Sequence, residues 1–365
     1  MIDALYHLTR PVLFRQDPEV VHDRVIRALG RVSTSDQVLG LLQRCREPVD
    51  PRLQVTIERM TLPGPVGIAA GLDKNAVAYP ALGRLGWDYV EIGTVTPLPQ
   101  SGNVKPRVFR LRDDAALINR MGFPGLGVDT VAMNIVMRRK RGVPIGINIG
   151  PNKTSVEAGL AAVIADCTLL TRRMASLADY LVLNISSPNT PNLRTLQEPG
   201  VLRELVTAIK GAMPERETVP FLIKIAPDLD PSEISAIVGV VQETGVSGVI
   251  ATNTTVARPP SLRSRRRDQI GGLSGPPLLP KSLGVIRQIA QRTEGTLPII
   301  GAGGIASGAD AIAAIRAGAW AVQIYTGLIY QGPGLATRIH RELVAELERT
   351  GLTGIADLRG RGPAK

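Results

Sequence analysis

One serine, two lysines and five asparagines carry most of the chemistry that this sequence offers. Asn119, Asn148, Asn184, Asn189 and Asn253 fall at or near the ends of apolar runs, where Lys74, Lys224 and Ser187 also stand. A side-chain amide donates and accepts at once, so a group of them suits a planar heterocycle with alternating C=O and N–H groups. Two lysines among them imply negative charge on a ligand or in an intermediate. Carboxylates are sparse at the same positions, Asp73 being the main one. Ser187 lies in NISSPNTPNLRTLQ (184–197), with no G-x-S-x-G elbow and no histidine close in sequence, so a hydrolytic triad is not indicated. A serine hydroxyl is a poor base unless its proton is relayed onward or a neighbour stabilises the alkoxide. Three dispersed histidines (His7, His22, His340) and two cysteines (Cys45, Cys167) argue against a metal centre and a disulfide scaffold.

Glycines supply a second chemistry. Gly301-Ala302-Gly303-Gly304 ends one apolar run, Tyr325-Thr326-Gly327 ends the next, and Gly275 sits in GGLSGPPL. Backbone N–H groups reach a phosphate most easily where no Cβ intervenes, and α/β barrels commonly hold phosphate after strands seven and eight.

These groups need a frame that brings them together. The chain has 365 residues, 44% of them hydrophobic and 21% charged, enough for a large core and incompatible with global disorder. Eight apolar runs recur: PVGIAAG (65–71), WDYVEIGTVT (87–96), PIGINIG (144–150), YLVLNISS (180–187), FLIKIAP (221–227), GVIATNT (248–254), LPIIGAGG (297–304) and WAVQIYT (320–326). Amphipathic stretches such as 156–178, 200–213, 232–244 and 309–317 separate them. Eight strands alternating with helices predict an α/β fold, a (β/α)₈ TIM barrel. The polar ends of the runs then share the C-terminal rim, where barrel active sites lie.

Two segments fall outside that rhythm. Residues 97–127 carry RVFRL (107–111) and ALINRMGF (116–123), which read as a hairpin-like excursion over the mouth. Residues 1–45 hold two amphipathic helices. The second starts at Asp17-Pro18, an N-cap and N1 pair, and is predicted to stop at Gly30. These helices either pack on the barrel or form a membrane-facing cap, with 46–365 as the barrel proper. No apolar stretch reaches the roughly 20 residues of a bilayer span. Lys and Arg total 43 against 32 Asp and Glu, a net charge of +11 that fits an anionic surface, nucleic acid or an anionic small molecule.

The motifs AAGLDKN (69–75), EIGTVTPLPQSGN (91–103), RVFRL, INRMGF (118–123), NIGPNKT (148–154), NISSPNTPNLR (184–194), KIAPDL (224–229), TNTT (252–255), GGLSG (271–275), GAGGI (301–305) and QIYTGL (323–328) occur in order. With them the chain resembles the dihydroorotate dehydrogenases of the membrane-associated, quinone-reducing class (class 2), from the N-terminal helices to about Glu346.

The resemblance implies one FMN per chain, oxidation of (S)-dihydroorotate to orotate in pyrimidine (UMP) synthesis, and a quinone as electron acceptor. FMN is expected at Ala70, Gly71, Leu72, Asp73, Lys74, Thr94, Asn148, Asn184, Lys224, Thr252, Gly275, Gly304, Tyr325 and Thr326. Substrate is expected at Lys74, Asn119, Arg120, Met121, Gly122, Phe123, Asn184, Asn189, Asn253 and Thr254. Ser187 matches the catalytic base, Lys224 the partner of reduced flavin, and His22 and Arg110 positions lining the quinone's way in. The implied setting is the cytoplasmic side of the cell membrane, as a peripheral, monomeric protein held through its N-terminal helices to an anionic surface.

Asn192 stands where the family often has glycine, and asparagine tolerates positive φ better than most residues. Pro276 replaces a common basic residue after LSG. Arg263, Arg265, Arg266 and Arg267 have no role in the resemblance and read as a solvated loop. Soluble enzymes of the same activity carry cysteine at the base position and lack the N-terminal helices, so Ser187 argues against that class. Flavin barrels that act on transfer RNA use an active-site cysteine and add an RNA-binding domain. Cys167 falls inside a helical pattern and only a short tail follows the eighth run, so no nucleic acid is expected.

Overall fold

Each of the eight apolar runs folds as a strand. The computed structural model describes residues 2–44, 46–139, 142–214 and 219–361, and in it the eight close into a barrel. Three helices come first: α1 (Ile2–Leu13), α2 (Pro18–Val32) and α3 (Asp36–Arg44). A hairpin of β1 (Val55–Ile57) and β2 (Met60–Leu62) follows, and its inward residues Val55, Ile57, Met60 and Leu62 join the barrel's core. The barrel begins with β3 (Val66–Ile68), α4 (Tyr79–Arg84) and β4 (Tyr89–Val95), after which β5 (Val108–Leu111) and β6 (Ala116–Asn119) leave it. Alternation resumes with α5 (Gly127–Arg138), β7 (Ile145–Ile149), α6 (Lys153–Ala158), α7 (Leu160–Met174), β8 (Tyr180–Asn184) and α8 (Pro199–Gly211). Then come β9 (Phe221–Ile225), α9 (Pro231–Thr244) and β10 (Gly248–Ala251). A further short strand, β11 (Gly272–Ser274), precedes α10 (Leu279–Arg292), β12 (Ile299–Ala302), α11 (Gly308–Arg316), β13 (Ala321–Ile324), α12 (Thr326–Gln331) and α13 (Leu335–Thr350).

The barrel strands β3, β4, β7, β8, β9, β10, β12 and β13 pair in sequence order, all parallel, and β13 returns to β3. They are buried on both faces, which is why their runs do not alternate. The rings of Tyr89 and Tyr180 meet edge to face at 6.3 Å within the core. Gly67 and Gly146 make room for them: a Cβ at either would lie 2.4 Å or less from those rings. A packed interior below leaves the rim free for chemistry.

Four features differ from the sequence-based expectation. α2 runs past Gly30 to Val32, because Gly30 lies against Val77 in mid-helix and ends nothing. The stretch from 156 is broken at Gly159 (φ +105), so the long helix starts at Leu160. α3 is a third helix in the N-terminal segment. The excursion over the mouth has a third strand, since β11 pairs antiparallel with β6 in the order β11-β6-β5. Cys45 and the last four residues of the tail lie outside the described residues.

The N-terminal helices are tied to the mouth by specific contacts. Asp17 caps α2 through the N–H groups of Glu19 and Val20. Buried Glu19 accepts from Arg107 at 2.7 Å, and burial's opposition to its charge is outweighed by Arg107 and Lys105. Tyr6 donates to the carbonyl of Ile329 and Arg10 to that of Tyr330. Leu5, Leu8 and Val12 on α1, with Val25 on α2, nevertheless stay exposed. Among the described residues no helix is long and apolar enough to cross a membrane.

Candidate active site

The floor of the mouth is a charged pair that no composition count would reveal. Glu91 on β4 is wholly buried, 3.6 Å from the ammonium of Lys224 on β9. Its carboxylate accepts from Asn148 at 2.8 Å, Gln323 at 2.6 Å and Tyr180 at 3.4 Å. Neutral donors thus satisfy the anion, and Lys224 keeps its N–H groups for the space above. A buried charge needs a counter-charge of this kind. The side-chain oxygen of Gln323 is buried with no partner among the described residues. Gln323 and Lys224 both line the space above, so an acceptor and a cation face whatever fills it.

An amide network rises from that floor. Thr94 donates to Asn148 at 2.6 Å, Asn184 donates to Thr94 and Asn148, and Asn253 donates to Asn184 and to Ser186. Strand register explains the convergence, because Asn184 stands directly beside Lys224 across the β8–β9 pair. Asn189 donates its amide to Asn119, joining the loop after β8 to β6. The N–H of Asn189 points at the hydroxyl of Ser187 at 3.3 Å. Asn192 adopts φ +60, the left-handed conformation expected of the residue that replaces glycine there.

A brace outside the amide network holds the Ser187 loop. Arg194 donates to the carbonyls of Ser186 and Thr254 and pairs with Asp228 at 3.0 Å. Asp228 also meets Lys281 at 2.7 Å and accepts from Thr255. Burial works against the charge of Asp228, but Lys281, Thr255, Val256 and Arg194 outweigh it and hold the carboxyl below its usual range.

Lys74 lies 3.1 Å from Nε2 of His22 on α2. Burial drives Lys74 down to about 8 against the opposing charges of Asp23 and Glu19. Burial, then the charge of Lys74, pushes His22 down to about 3, so it is a neutral imidazole at physiological pH. Arg110 stacks 4.8 Å from the centre of the Phe14 ring and donates to the carbonyl of Gln16.

On the far side the glycines converge. A Cβ on Gly275 (φ +100) would come within 3.0 Å of Thr326, and one on Gly304 (φ +91) within 2.5 Å of the backbone N of Leu279. Ser274 and Thr326 share a hydrogen bond of 2.8 Å. This cradle exists only without side chains.

One cavity of about 610 Å³ connects these parts. It extends from Lys224 and Gln323 past Ser187, Lys74 and the glycine cradle into an apolar gap between α1 and α2. Ala70, Gly71, Leu72, Thr94, Asn184, Thr252, Gly275, Gly304, Tyr325 and Thr326 line it, as do Asn119, Met121, Gly122, Phe123, Asn189, Asn253, Thr254, His22 and Arg110.

Three expected residues are placed elsewhere. Asp73 is buried away from the cavity and accepts from the N–H groups of Val77, Ala78 and Tyr79, so it shapes the turn beside Lys74. Arg120 points outward, bonding Gln269 and Ile270 and lying 4.6 Å from the centre of the Phe109 ring. Asn148 lies behind Thr94 and reaches the cavity only through the network. Sequence reasoning missed Glu91, Gln323, Arg194 and Asp228. All four sit inside quoted motifs, and a lone buried lysine demands a carboxylate partner, which was the available clue for Glu91.

A family profile described as "Dihydroorotate dehydrogenase" matches residues 52–347. A protein of Sphingopyxis alaskensis named dihydroorotate dehydrogenase (quinone) is 43% identical, the match covering 99% of this chain and 98% of the relative. One of Natronomonas pharaonis with the same name is 44% identical, covering 98% and 99%. The crystal structure of the dihydroorotate dehydrogenase of Eimeria tenella in complex with ferulenol superposes with a TM-score of 0.86 at 38% identity, covering 96% of this chain and 98% of that one. The chain belongs to the dihydroorotate dehydrogenase family.

Proposed function

We propose that this cavity binds FMN and dihydroorotate at the barrel mouth and admits a quinone between α1 and α2. The enzyme oxidises (S)-dihydroorotate to orotate and passes the electrons to the quinone, a step of pyrimidine synthesis. The observation that carries the reading is the continuity of one cavity, polar and cationic at the floor and apolar between the helices.

The residues present fit FMN. The unpartnered oxygen of Gln323 and the free N–H groups of Lys224 suit the polar edge of a flavin ring. The cradle of Gly275, Gly304 and Thr326 suits its phosphate. Held by these residues, FMN would supply the acceptor for the hydride from C6 of the substrate and the means of passing its electrons on to the quinone.

This chain's own residues do the rest. Ser187 takes the proton from C5 as its own hydroxyl proton is relayed to solvent in the cavity, and the N–H of Asn189 at 3.3 Å steadies the partial negative charge that its oxygen carries before the C5 proton arrives. Lys74 faces the substrate carboxylate. Asn119, Asn184, Asn189 and Asn253 read the C=O and N–H edges of the pyrimidine. His22 and Arg110 line the quinone's path, and the exposed apolar face of α1 seats residues 1–45 in the membrane surface as a cap over the barrel of 46–365. The protein works as a monomer, peripheral to the cytoplasmic side of the cell membrane.

The test is spectroscopic. The purified protein carries a yellow chromophore that dihydroorotate bleaches and a quinone restores. A colourless protein, or a chromophore that dihydroorotate leaves unchanged, would overturn the assignment.

A further inference from the structure

The run Arg263, Arg265, Arg266, Arg267 belongs to the loop between β10 and β11, and the site described above makes no use of it. Its position gives it a different neighbour. Arg263 donates to the carbonyl of Asp113, and its own N–H and that of Ser264 bond the carboxylate of Asp114. Asp113 and Asp114 form the turn between β5 and β6, and Arg112 of the same turn donates to the carbonyl of Phe14. Two bonded steps therefore join the arginine loop to the turn between α1 and α2.

That turn is a meeting point of cations. Arg10 and Arg110 both lie over the ring of Phe14, and exposed Arg24 bonds Gln16. Immediately before the turn, α1 presents exposed Leu5, Leu8 and Val12. Arg267 is committed to the carbonyl of Leu262 and a long contact with Asp268. Arg265 and Arg266 are exposed, and their guanidinium groups meet no partner among the described residues. An apolar helix face joined through the turn between β5 and β6 to a loop with two unpaired arginines suits the interface of an anionic bilayer, with hydrocarbon under the leucines and headgroup phosphates over the guanidinium groups.

We propose that the loop at 263–267 is a second, barrel-borne membrane contact, in which Arg265 and Arg266 bind the phosphate groups of anionic phospholipids. The proposal rests on the reading that the α1 face meets the membrane, and it adds that the barrel itself touches the surface beside the cap. The loop thereby fixes the tilt of the barrel on the bilayer, keeping the gap between α1 and α2 turned towards the lipid that holds the quinone. A single amphipathic helix would leave that tilt free.

The experiment uses the full-length holoenzyme and vesicles of phosphatidylcholine, with or without one quarter phosphatidylglycerol. Partition is measured by co-sedimentation at low and high salt. An arginine at an anionic surface contributes about 5-fold in partition, so Arg265→Gln with Arg266→Gln should weaken binding to the anionic vesicles by about 25-fold at low salt. Binding to neutral vesicles, and bleaching of the chromophore by dihydroorotate in solution, should not change. High salt should erase the difference between wild type and variant. Leu5→Ser with Leu8→Ser tests the underlying reading separately, because it should reduce binding to both kinds of vesicle. Wild-type affinity of the double-arginine variant for anionic vesicles would overturn the proposal while leaving the α1 reading intact. A wild-type protein that binds neither vesicle would overturn both. Loss of single-stranded RNA binding in the variant, with vesicle binding unchanged, would assign the loop to a nucleic acid instead.

Discussion

Lys74 is the group through which pH should control substrate binding. Its ammonium is held at about 8 by burial, working against Asp23 and Glu19. The cation is therefore present below pH 8 and lost above it, while orotate keeps its carboxylate throughout. From pH 7 to pH 9 the charged fraction falls from about 0.9 to about 0.1, so orotate affinity should drop about tenfold. A lysine at its ordinary value of 10.5 would lose only about 3% of its charge over the same span. Lys74→Arg should flatten the profile. Lys74→Gln should flatten it too and weaken binding at pH 7 by about 10- to 150-fold, the worth of a hydrogen bond to a charged group. His22→Ala should let water in behind Lys74, relax the desolvation and move the midpoint upwards, since the neutral imidazole of His22 fills that space. Calorimetric titration with orotate at pH 7, 8 and 9 and fixed ionic strength measures all four proteins. Wild-type affinity that stays constant from pH 7 to 9, or an equal alkaline fall in Lys74→Arg, would refute the reasoning.

Ser187→Ala should keep its chromophore and bind orotate, yet slow single-turnover reduction by dihydroorotate about 10²–10⁴-fold, the usual loss of a general base; near wild-type bleaching would reject the assignment. Asp228→Asn should loosen the Ser187 loop through Arg194, lowering kcat by up to about 10²-fold with little change in KM. In the wild type the stabilisation from the depressed Asp228 is present above the ordinary carboxylate value and lost as pH falls through the folded one, so acid unfolding should be less steep in the variant. Glu91→Gln leaves Lys224 buried without an anion and should cost about 3–5 kcal/mol in urea unfolding, where a loss under about 1 kcal/mol would mean that the pair is not coupled. Gly304→Ala drives a methyl into the backbone of Leu279 at a positive φ, and the absorbance per chain should show FMN lost from an otherwise folded protein.

The barrel is legible in the sequence because a strand covered on both faces has to be apolar throughout, and eight such runs between helical stretches leave few other closures. The rim is legible for a related reason. A polar residue that ends an apolar strand has nowhere to point except the mouth, which places Asn184, Lys224 and Thr252. The rule fails where a side chain finds a closer partner. Asp73 stands between cavity-lining Leu72 and Lys74, yet three backbone N–H groups of its own turn claim the carboxylate. Arg120 stands between Asn119 and Met121, one residue past β6, and Gln269, the carbonyl of Ile270 and the Phe109 ring claim its guanidinium.

What stayed hidden is the layer behind the lining. Glu91 and Gln323 lie within their strands, surrounded in sequence by apolar neighbours, and only barrel closure brings β4, β7, β9 and β13 around one point. Their interactions span 57 to 232 positions along the chain, so no local spacing encodes them. The same holds for Arg194 and Asp228, which meet because β8 and β9 are neighbours in the barrel. Sequence pattern reports which face a residue occupies, and that is a property of its own element. Which charges neutralise one another depends on closure, and in a barrel the charges that tune a ligand are mostly of that second kind. A lysine at a strand end is therefore only half of a statement about chemistry. Until its buried carboxylate is found across the barrel, neither its charge nor the number of donors it has left for a ligand is known.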